Sequence, residues 1–344
     1  IGSEYDMDKQ ILIQKDAWKF VPQLLEKIDK VLLVSSEDIY DLFKNRLDLL
    51  SKESGCDLYF INDYNVQTAL ELAKHVIVNH YECIVSVGGG TVSDTCKLAA
   101  KYSEKKLVSV PTIVSNDGVC SNTSVLKFDG DKTDGLPSKS PDAVIIDIDI
   151  IKTSPKKYLK AGICDILSNY TALYDWELAI KAGKENSNDI ARMISSNSFW
   201  SLFNLPKNID EDLKIKLTCE SIILSGVAME IKGNTRPCSG SEHLFNHAIV
   251  AYYPEIKVLH GYLVGLGALA SSILQKQNFN KLVQFLKDNE IDVRPSSLGI
   301  SKEIFIDAWL KAKQTRPNRY TILNEMNLDK KTLEEIYYKI EEAY

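Results

Sequence analysis

The chain has 344 residues, 44% of them hydrophobic and 26% charged, enough apolar material for a large core and, by length, two domains. Its 17 glycines and 10 prolines exclude a collagenous or low-complexity protein, and 41 basic against 47 acidic side chains leave a net charge of −6. That balance gives no general attraction for phosphate backbones or anionic membranes, so no nucleic-acid partner is expected.

Residues 31–34 (VLLV) form the first β-rich run, followed by a helical stretch near 39–50. Residues 58–61 (LYFI) precede a helical stretch at 66–79, in which Val66, Leu70, Ala73 and Ile77 recur at three to four. CIVSV at 83–87 leads through three glycines into a helix at 92–102, LVSV at 107–110 ends at Pro111, and AVIIDI at 143–148 closes the set. Near-continuous apolar strands alternating with helices predict a mainly parallel, Rossmann-like α/β sheet covered on both faces. The polar stretch 122–139 is expected as a hairpin or long loop at the sheet's edge.

After Pro155 the pattern turns helical. Segments 157–182, 190–204, 211–231, 242–252, 260–277 and 280–289 read as helices, with shorter ones at 302–315 and 333–343, and no strand is expected. Pro206, Pro237, Pro254 and Pro295 punctuate them. The division is therefore an α/β domain at 1–155 and an all-helical domain at 156–344. Ligands of open α/β sheets lie at the carboxyl ends of the strands, so the expected site is the cleft between the halves.

Seven cysteines (56, 83, 96, 120, 164, 219 and 238) are scattered without a paired spacing, which argues against a disulfide framework or a zinc finger. They are expected as small buried hydrophobes in a cytoplasmic protein. No apolar run reaches the roughly 18 residues of a bilayer span, and the opening IGSEYDMDKQ is polar where a secretory signal is apolar, so no membrane insertion is expected.

CIVSVGGGTVSD is a strand, a glycine turn and a helix start. Gly88, Gly89 and Gly90 let the backbone approach a ligand, and Thr91 or a neighbour opens a helix whose free N–H groups suit a diphosphate. The fit to GxGxxG is incomplete, with Ser93 in the third place, and a plain tight turn is the alternative. Thr91 and Asp94 are read as a capping box in preference to a ligand contact. The next strand ends in VPTIVSNDGVCS, whose Thr112, Ser115, Asn116, Asp117 and Ser121 suit either a binding loop or a hydrophilic turn.

Of five histidines, three crowd one window. His243 and His247 are four apart on one helix face, with Ser239 or Ser241 as the cap, and His260 opens the next helix. Two helices thus direct imidazoles into one space, against the bland reading of separate core or surface histidines. His75 and His80 are expected at the surface. Asp165 lies in an otherwise apolar stretch as a carboxylate candidate, or as a cap or a partner for Lys156 or Lys157. Two histidines and a carboxylate suit catalytic zinc, or another divalent ion including iron.

Taken together, VGGGTVSD, VPTIVSNDGVCS, AGICDILSNYTALYDWELA, RPCSGSEHLFNHAI, HGYLVGLG and RPNRYTIL resemble the sn-glycerol-1-phosphate dehydrogenase family. That family stands in the superfamily of glycerol dehydrogenases, iron-containing alcohol dehydrogenases and 3-dehydroquinate synthases. The pair Asp175–Trp176, RPxSGSEH at 236–243 and RPxRYTIL at 316–323 are the specific elements; the glycine turn is generic. The resemblance implies the dehydroquinate synthase-like fold and a reversible, metal-dependent conversion of dihydroxyacetone phosphate to sn-glycerol 1-phosphate with NAD or NADP. It implies that Gly88, Gly89, Gly90, Thr91 and Val92 bind the cofactor diphosphate, with Thr112, Ser115 and Ser121 along its nicotinamide side. Asp165, His243 and His260 would hold Zn2+, or Fe2+ or another divalent metal. Asp117 and His247 would be catalytic and substrate-binding, with Asp165 touching substrate as well.

His247, titrating near the ordinary imidazole value of about 6.5, is expected to relay the proton. The substrate phosphate needs a cation, for which Arg236 is the first candidate and Arg319 the second, with a structural ion pair as the alternative for both. Glu37, after Ser35 and Ser36 at the end of the first β-rich run, would favour the NAD ribose or simply begin the next helix, and use of both NAD and NADP is compatible with the small residues beside it. Cys164 and Tyr262 stand where the family usually has glycine and glutamate. Rival expectations are glycerol dehydrogenase on unphosphorylated glycerol and dihydroxyacetone, a dehydroquinate synthase-like cyclase, and a non-catalytic nucleotide sensor. A homo-oligomer, dimer or larger, is expected by resemblance.

Overall fold

The computed structural model describes residues 9–128 and 133–344. The first elements are β1 (Gln10–Gln14), α1 (Val21–Leu25), β2 (Val31–Ser35), α2 (Glu37–Ser54), β3 (Asp57–Phe60) and α3 (Val66–Val78). They are followed by β4 (Cys83–Gly88), α4 (Gly90–Ser103), β5 (Lys106–Pro111), β6 (Thr123–Lys127), β7 (Thr133–Pro137), β8 (Ala143–Asp147) and α5 (Ile148–Thr153). Six strands form one sheet in the order β1-β8-β5-β4-β2-β3, all parallel. Leu33, Val85, Val108 and Ile145 point to one face, against Val21, Leu25, Leu47 and Leu50 of α1 and α2. Leu32, Ile84 and Leu107 point to the other, against Leu72, Val76, Cys96 and Ala99 of α3 and α4. Period-2 alternation with both faces buried is why these strands read as continuous apolar runs.

The strand order reverses between β2 and β4, because the chain passes from β2 to the edge strand β3 and returns on the other side as β4. The glycine turn leaves the carboxyl end of β4, so it opens at this switch point, where open α/β sheets bind ligands.

Three expectations need correction. The buried stripe of α3 is Ala69, Leu72, Ala73 and Val76, while Leu70 and Ile77 are exposed; the periodicity was real but its phase lay one residue away. The β6–β7 hairpin is not at the sheet's edge: Leu126 packs on Ala69 and Leu98, so it rides on the helical layer, and the edges belong to β1 and β3. Residues 129–132 of this stretch lie outside those described. Strand β1, QILIQ, was not anticipated; five residues flanked by polar ones carry little pattern, and the parallel ladder with β8 defines it.

The remaining elements are α6 (Lys156–Lys181), α7 (Asp189–Phe203), α8 (Glu211–Lys232), α9 (Ser241–Tyr252), α10 (His260–Leu274), α11 (Phe279–Asp288), α12 (Lys302–Thr315), α13 (Ile322–Glu325) and α14 (Lys330–Glu341). By its internal contacts the chain forms two compact units, one reaching to Val114 with Gly118–Pro155 and Glu211–Cys219, the other comprising Ser115–Asp117, Lys156–Asp210 and Glu220–Tyr344. The helical unit therefore takes three residues of the loop after β5, among them Asp117. No helix among the described residues is long and apolar enough to cross a membrane, and all seven cysteines are buried and none forms a disulfide.

Candidate metal centre and cofactor turn

Glycines bring the helical unit's functional side chains together. On α10, a Cβ at Gly261 would run into the Ala161 carbonyl of α6, one at Gly265 would lie 3.0 Å from the Cys164 side chain, and one at Gly267 would lie 2.6 Å from the Glu242 carbonyl of α9. Side-chain-free positions on two faces of α10 thus permit backbone-close crossings with α6 and α9. Cys164, where the resemblance led us to expect glycine, is accommodated because its neighbour Gly265 has no side chain.

These crossings converge on Asp165. Its Oδ1 lies 3.3 Å from His260 Nε2 and 3.8 Å from His243 Nε2, and the two imidazole centroids are 5.2 Å apart. One ligand atom from each residue falls within 4.8 Å of the others. Asp165 is buried, its Oδ2 accepts the Asp117 backbone N–H at 2.9 Å, and Oδ1 has no hydrogen-bond donor. Burial would raise the Asp165 pKa, yet the imidazoles of His260 and His243 hold it below the usual carboxylate value. Burial would likewise lower His260, but Asp165 raises it above the ordinary imidazole value. The pocket is therefore arranged around positive charge, and two imidazole nitrogens with an undonated carboxylate oxygen fit a divalent ion.

His247 lies one turn beyond His243 and corrects an expectation. Burial first, then the neighbouring His243, Arg316, His260 and Arg319, push its pKa down to about 3, so its ring is neutral at physiological pH. Neither Ser239 nor Ser241 caps α9: the N-cap is Gly240, and carboxylates take the free N–H groups, with Asp175 Oδ2 accepting from Ser241 at 2.7 Å and Glu242 Oε1 from Gly240. Asp175 Oδ1 also accepts the Ile322 N–H at 2.7 Å, which ties the start of α13 to the same point. The Asp-Trp and RPxRYTIL elements of the sequence thus meet at one carboxylate.

Arg236 is buried and Arg319 half-buried. Arg236 is 4% exposed; its Nε faces Glu185 Oε2 at 3.3 Å and its Nη1 donates to the Tyr320 carbonyl at 2.6 Å. Arg319 donates from Nη1 to the Ser239 carbonyl at 2.9 Å and from Nη2 to Thr235 Oγ1 at 2.6 Å. Burial, followed by the like charges of Arg236 and Arg316, lowers the Arg319 pKa to about 10.

In the α/β unit, α4 starts at Gly90 with Gly89 as an N-cap that supplies no side-chain acceptor. The Thr91–Asp94 capping box does not form. Asp94 instead accepts the Val125 N–H at 3.0 Å and pairs with Lys97 at 2.7 Å. Lys97 is fully buried and donates to the Gly118 carbonyl at 2.8 Å and to the Thr123 carbonyl, bracing the loop after β5; neither residue was singled out as a brace, since a lysine mid-helix carries no sequence signal for burial. A Cβ at Gly88 would lie 2.7 Å from Val92, and one at Gly89 would lie 3.0 Å from Ile113, whereas Gly90 faces open space. Uncapped helix N–H groups, a turn without side chains and the buried, unpartnered hydroxyls of Ser93 and Thr112 fit a dinucleotide diphosphate. Ser121 is buried with its hydroxyl 3.3 Å from the Thr123 carbonyl, and Ser115 is half-buried. His75 is half-buried against Tyr59 and Tyr81, and His80 is exposed; neither is near a second candidate ligand set among the described residues.

The signature of the iron-containing alcohol dehydrogenase family matches residues 12–155. Glycerol-1-phosphate dehydrogenase (NAD(P)+) of Aeropyrum pernix is 34% identical over 326 residues, covering 93% of this chain and 92% of that one. The enzyme of the same name from Thermococcus sibiricus is 37% identical, covering 96% and 95%. Among solved structures, glycerol dehydrogenase of Schizosaccharomyces pombe superposes with a TM-score of 0.79 at 18% identity, over 98% of this chain and 89% of that one. That likeness establishes the dehydroquinate synthase-like fold, and the two relatives, matched almost end to end, establish that the chain belongs to the glycerol-1-phosphate dehydrogenase family.

Proposed function

We propose that the chain is a metal-dependent, NAD(P)-linked oxidoreductase that interconverts dihydroxyacetone phosphate and sn-glycerol 1-phosphate by hydride transfer at C2. The observation that carries this reading is the buried Asp165 Oδ1, without a donor, facing His243 Nε2 and His260 Nε2 in a chain of this family. Those three residues would hold the ion, zinc in this reading, with ferrous iron compatible with the same donors. When bound, the ion supplies Lewis-acid polarisation of the substrate's carbonyl oxygen. The nicotinamide cofactor supplies or accepts the hydride.

The chain's own residues do the rest. Residues 88–92 receive the diphosphate, with Thr112, Ser115 and Ser121 toward the nicotinamide. Glu37, exposed in the first turn of α2, favours NAD by repelling a 2′-phosphate. Asp117, anchored through its N–H to Asp165, orients the substrate hydroxyls. His247, neutral, takes a proton at one ring nitrogen as it releases one from the other, so it relays without resting as a cation. Arg319 and Arg316 supply the positive field for the phosphate, Arg319 still having N–H groups beyond the two it spends on Ser239 and Thr235. Arg236 serves better as a strut between Glu185 and Tyr320 than as the clamp.

NADH and NADPH oxidation with dihydroxyacetone phosphate and with dihydroxyacetone, alongside metal analysis of the purified enzyme, tests the reading. The phosphorylated ketone should be the better substrate. A charge-assisted hydrogen bond contributes roughly 1.5–3 kcal/mol, so Arg319→Ala should raise KM for the phosphate ester about 10- to 100-fold and leave dihydroxyacetone nearly unchanged. Equal efficiency on both ketones in the unaltered enzyme would favour a glycerol dehydrogenase. Equal losses on both ketones in the variant would make Arg319 structural.

A further inference from the structure

The carboxylate of Glu242 is fully buried immediately before a metal-ligand candidate, and its hydrogen bonds have a consistent direction. Oε1 accepts the Gly240 N–H, Oε2 accepts the Thr171 hydroxyl at 2.8 Å, and Oε1 lies 3.0 Å from His243 Nδ1. A carboxylate that already accepts from two donors accepts from the imidazole as well, which puts the ring proton on Nδ1 and leaves the Nε2 lone pair facing Asp165. We propose that Glu242 is the positioning residue of the metal centre, fixing the tautomer and rotation of His243 through Nδ1, with Thr171 and Gly240 holding the carboxylate in place.

The surrounding architecture is consistent with this one task. Gly240 sits between two carboxylates: a Cβ there would lie 2.6 Å from Asp175 Oδ2 and 3.0 Å from Glu242 Oε2. Thr171 comes from α6, the helix that carries Asp165, so one helix delivers a ligand to the ion and, under two turns later, the clamp for the residue behind a second ligand. The sequence SGSEH is thereby decoded: Ser239 gives its carbonyl to Arg319, Gly240 leaves room for both carboxylates, Ser241 gives its N–H to Asp175, and Glu242 aims His243. A carboxylate behind a ligating imidazole raises its basicity as well as fixing it.

The inference rests on reading Asp165, His243 and His260 as the ligands, and one set of measurements separates the two. Zinc release from purified full-length enzyme into a chromogenic chelator is compared for the unaltered protein, Glu242→Gln, Thr171→Val and His243→Ala, together with the visible spectrum of the cobalt-substituted forms. Glu242→Gln should weaken metal retention about 10- to 100-fold and shift the cobalt bands, with helix content unchanged, and Thr171→Val should act in the same direction with smaller size. Zinc held as tightly by Glu242→Gln as by the unaltered enzyme, with identical cobalt bands, overturns the positioning role. If Glu242→Gln does not fold, Thr171→Val decides by the same two readouts. An unaltered enzyme that holds no metal, or His243→Ala that holds it equally well, overturns the ligand reading instead.

Discussion

Asp175 shows how costly the polar interior around the site is. It is fully buried, and desolvation first, then the charge of Glu242, raises its pKa to about 7, against the two backbone N–H groups that favour the ionised form. A carboxyl that binds its proton more tightly folded than unfolded makes stability fall as pH rises between about 4 and about 7, and above that window nothing further is lost. At 1.36 kcal/mol per unit the span is on the order of 4 kcal/mol. Asp175→Asn should therefore lose less stability than the unaltered chain between pH 5 and pH 8, measured by urea unfolding of metal-free protein. Parallel slopes for the two proteins contradict this. The same scale separates what could be read beforehand from what could not. The clustering of His243 and His260 was legible because histidines are few. Asp165, one carboxylate among many, was singled out with a cap or a lysine partner as its alternatives, and the structure brings it to both imidazoles. The neutrality of His247 was not legible, because it comes from burial and from Arg316 and Arg319, more than sixty residues downstream.

Helix α10 owes its place to residues without side chains. Gly261 and Gly265 share the face turned to α6, four apart, and Gly267 meets α9. Gly261→Ala would push a methyl into the Ala161 carbonyl, a backbone atom that cannot rotate away, and overpacking of this kind costs about 1–3 kcal/mol or more. It should lower the thermal midpoint and displace His260, with metal content falling in parallel; a variant that keeps full metal content and midpoint shows that the crossing has slack. Elements with strong periodicity and caps were readable: the 302–315 helix appears with those limits, preceded by a Ser301 cap. The β1 strand, the four-residue α13 and the buried phase of α3 were not, since each depends on which neighbour covers it rather than on its own pattern. The hairpin of β6 and β7 could be seen as a hairpin, but its seat on α3 and α4 is set by Leu126, one residue among polar ones.

At the level of the whole molecule, an ion held by Asp165, His243 and His260 would tie stability to metal supply. Anything that binds only the folded state stabilises it by RT ln(1 + [L]/Kd), about 2.7 kcal/mol at a hundredfold excess over Kd. Stripping the metal should lower the unfolding midpoint of the unaltered enzyme, and restoring zinc should recover it. His243→Ala should show neither response and should lose activity, with its far-ultraviolet dichroism retained. A zinc-dependent rise in that variant would remove His243 from the ligand set.

The three candidate donors, Asp165, His243 and His260, come from α6, α9 and α10, with 78 positions (243 − 165) from the first to the second and 17 (260 − 243) from the second to the third. A nascent polypeptide still lacking α10 offers an incomplete cage, with two imidazoles never assembled around the carboxylate. If these three residues are the ligands, the full donor set would exist only once α10 has been made, so metal retention would report on the completed helical unit.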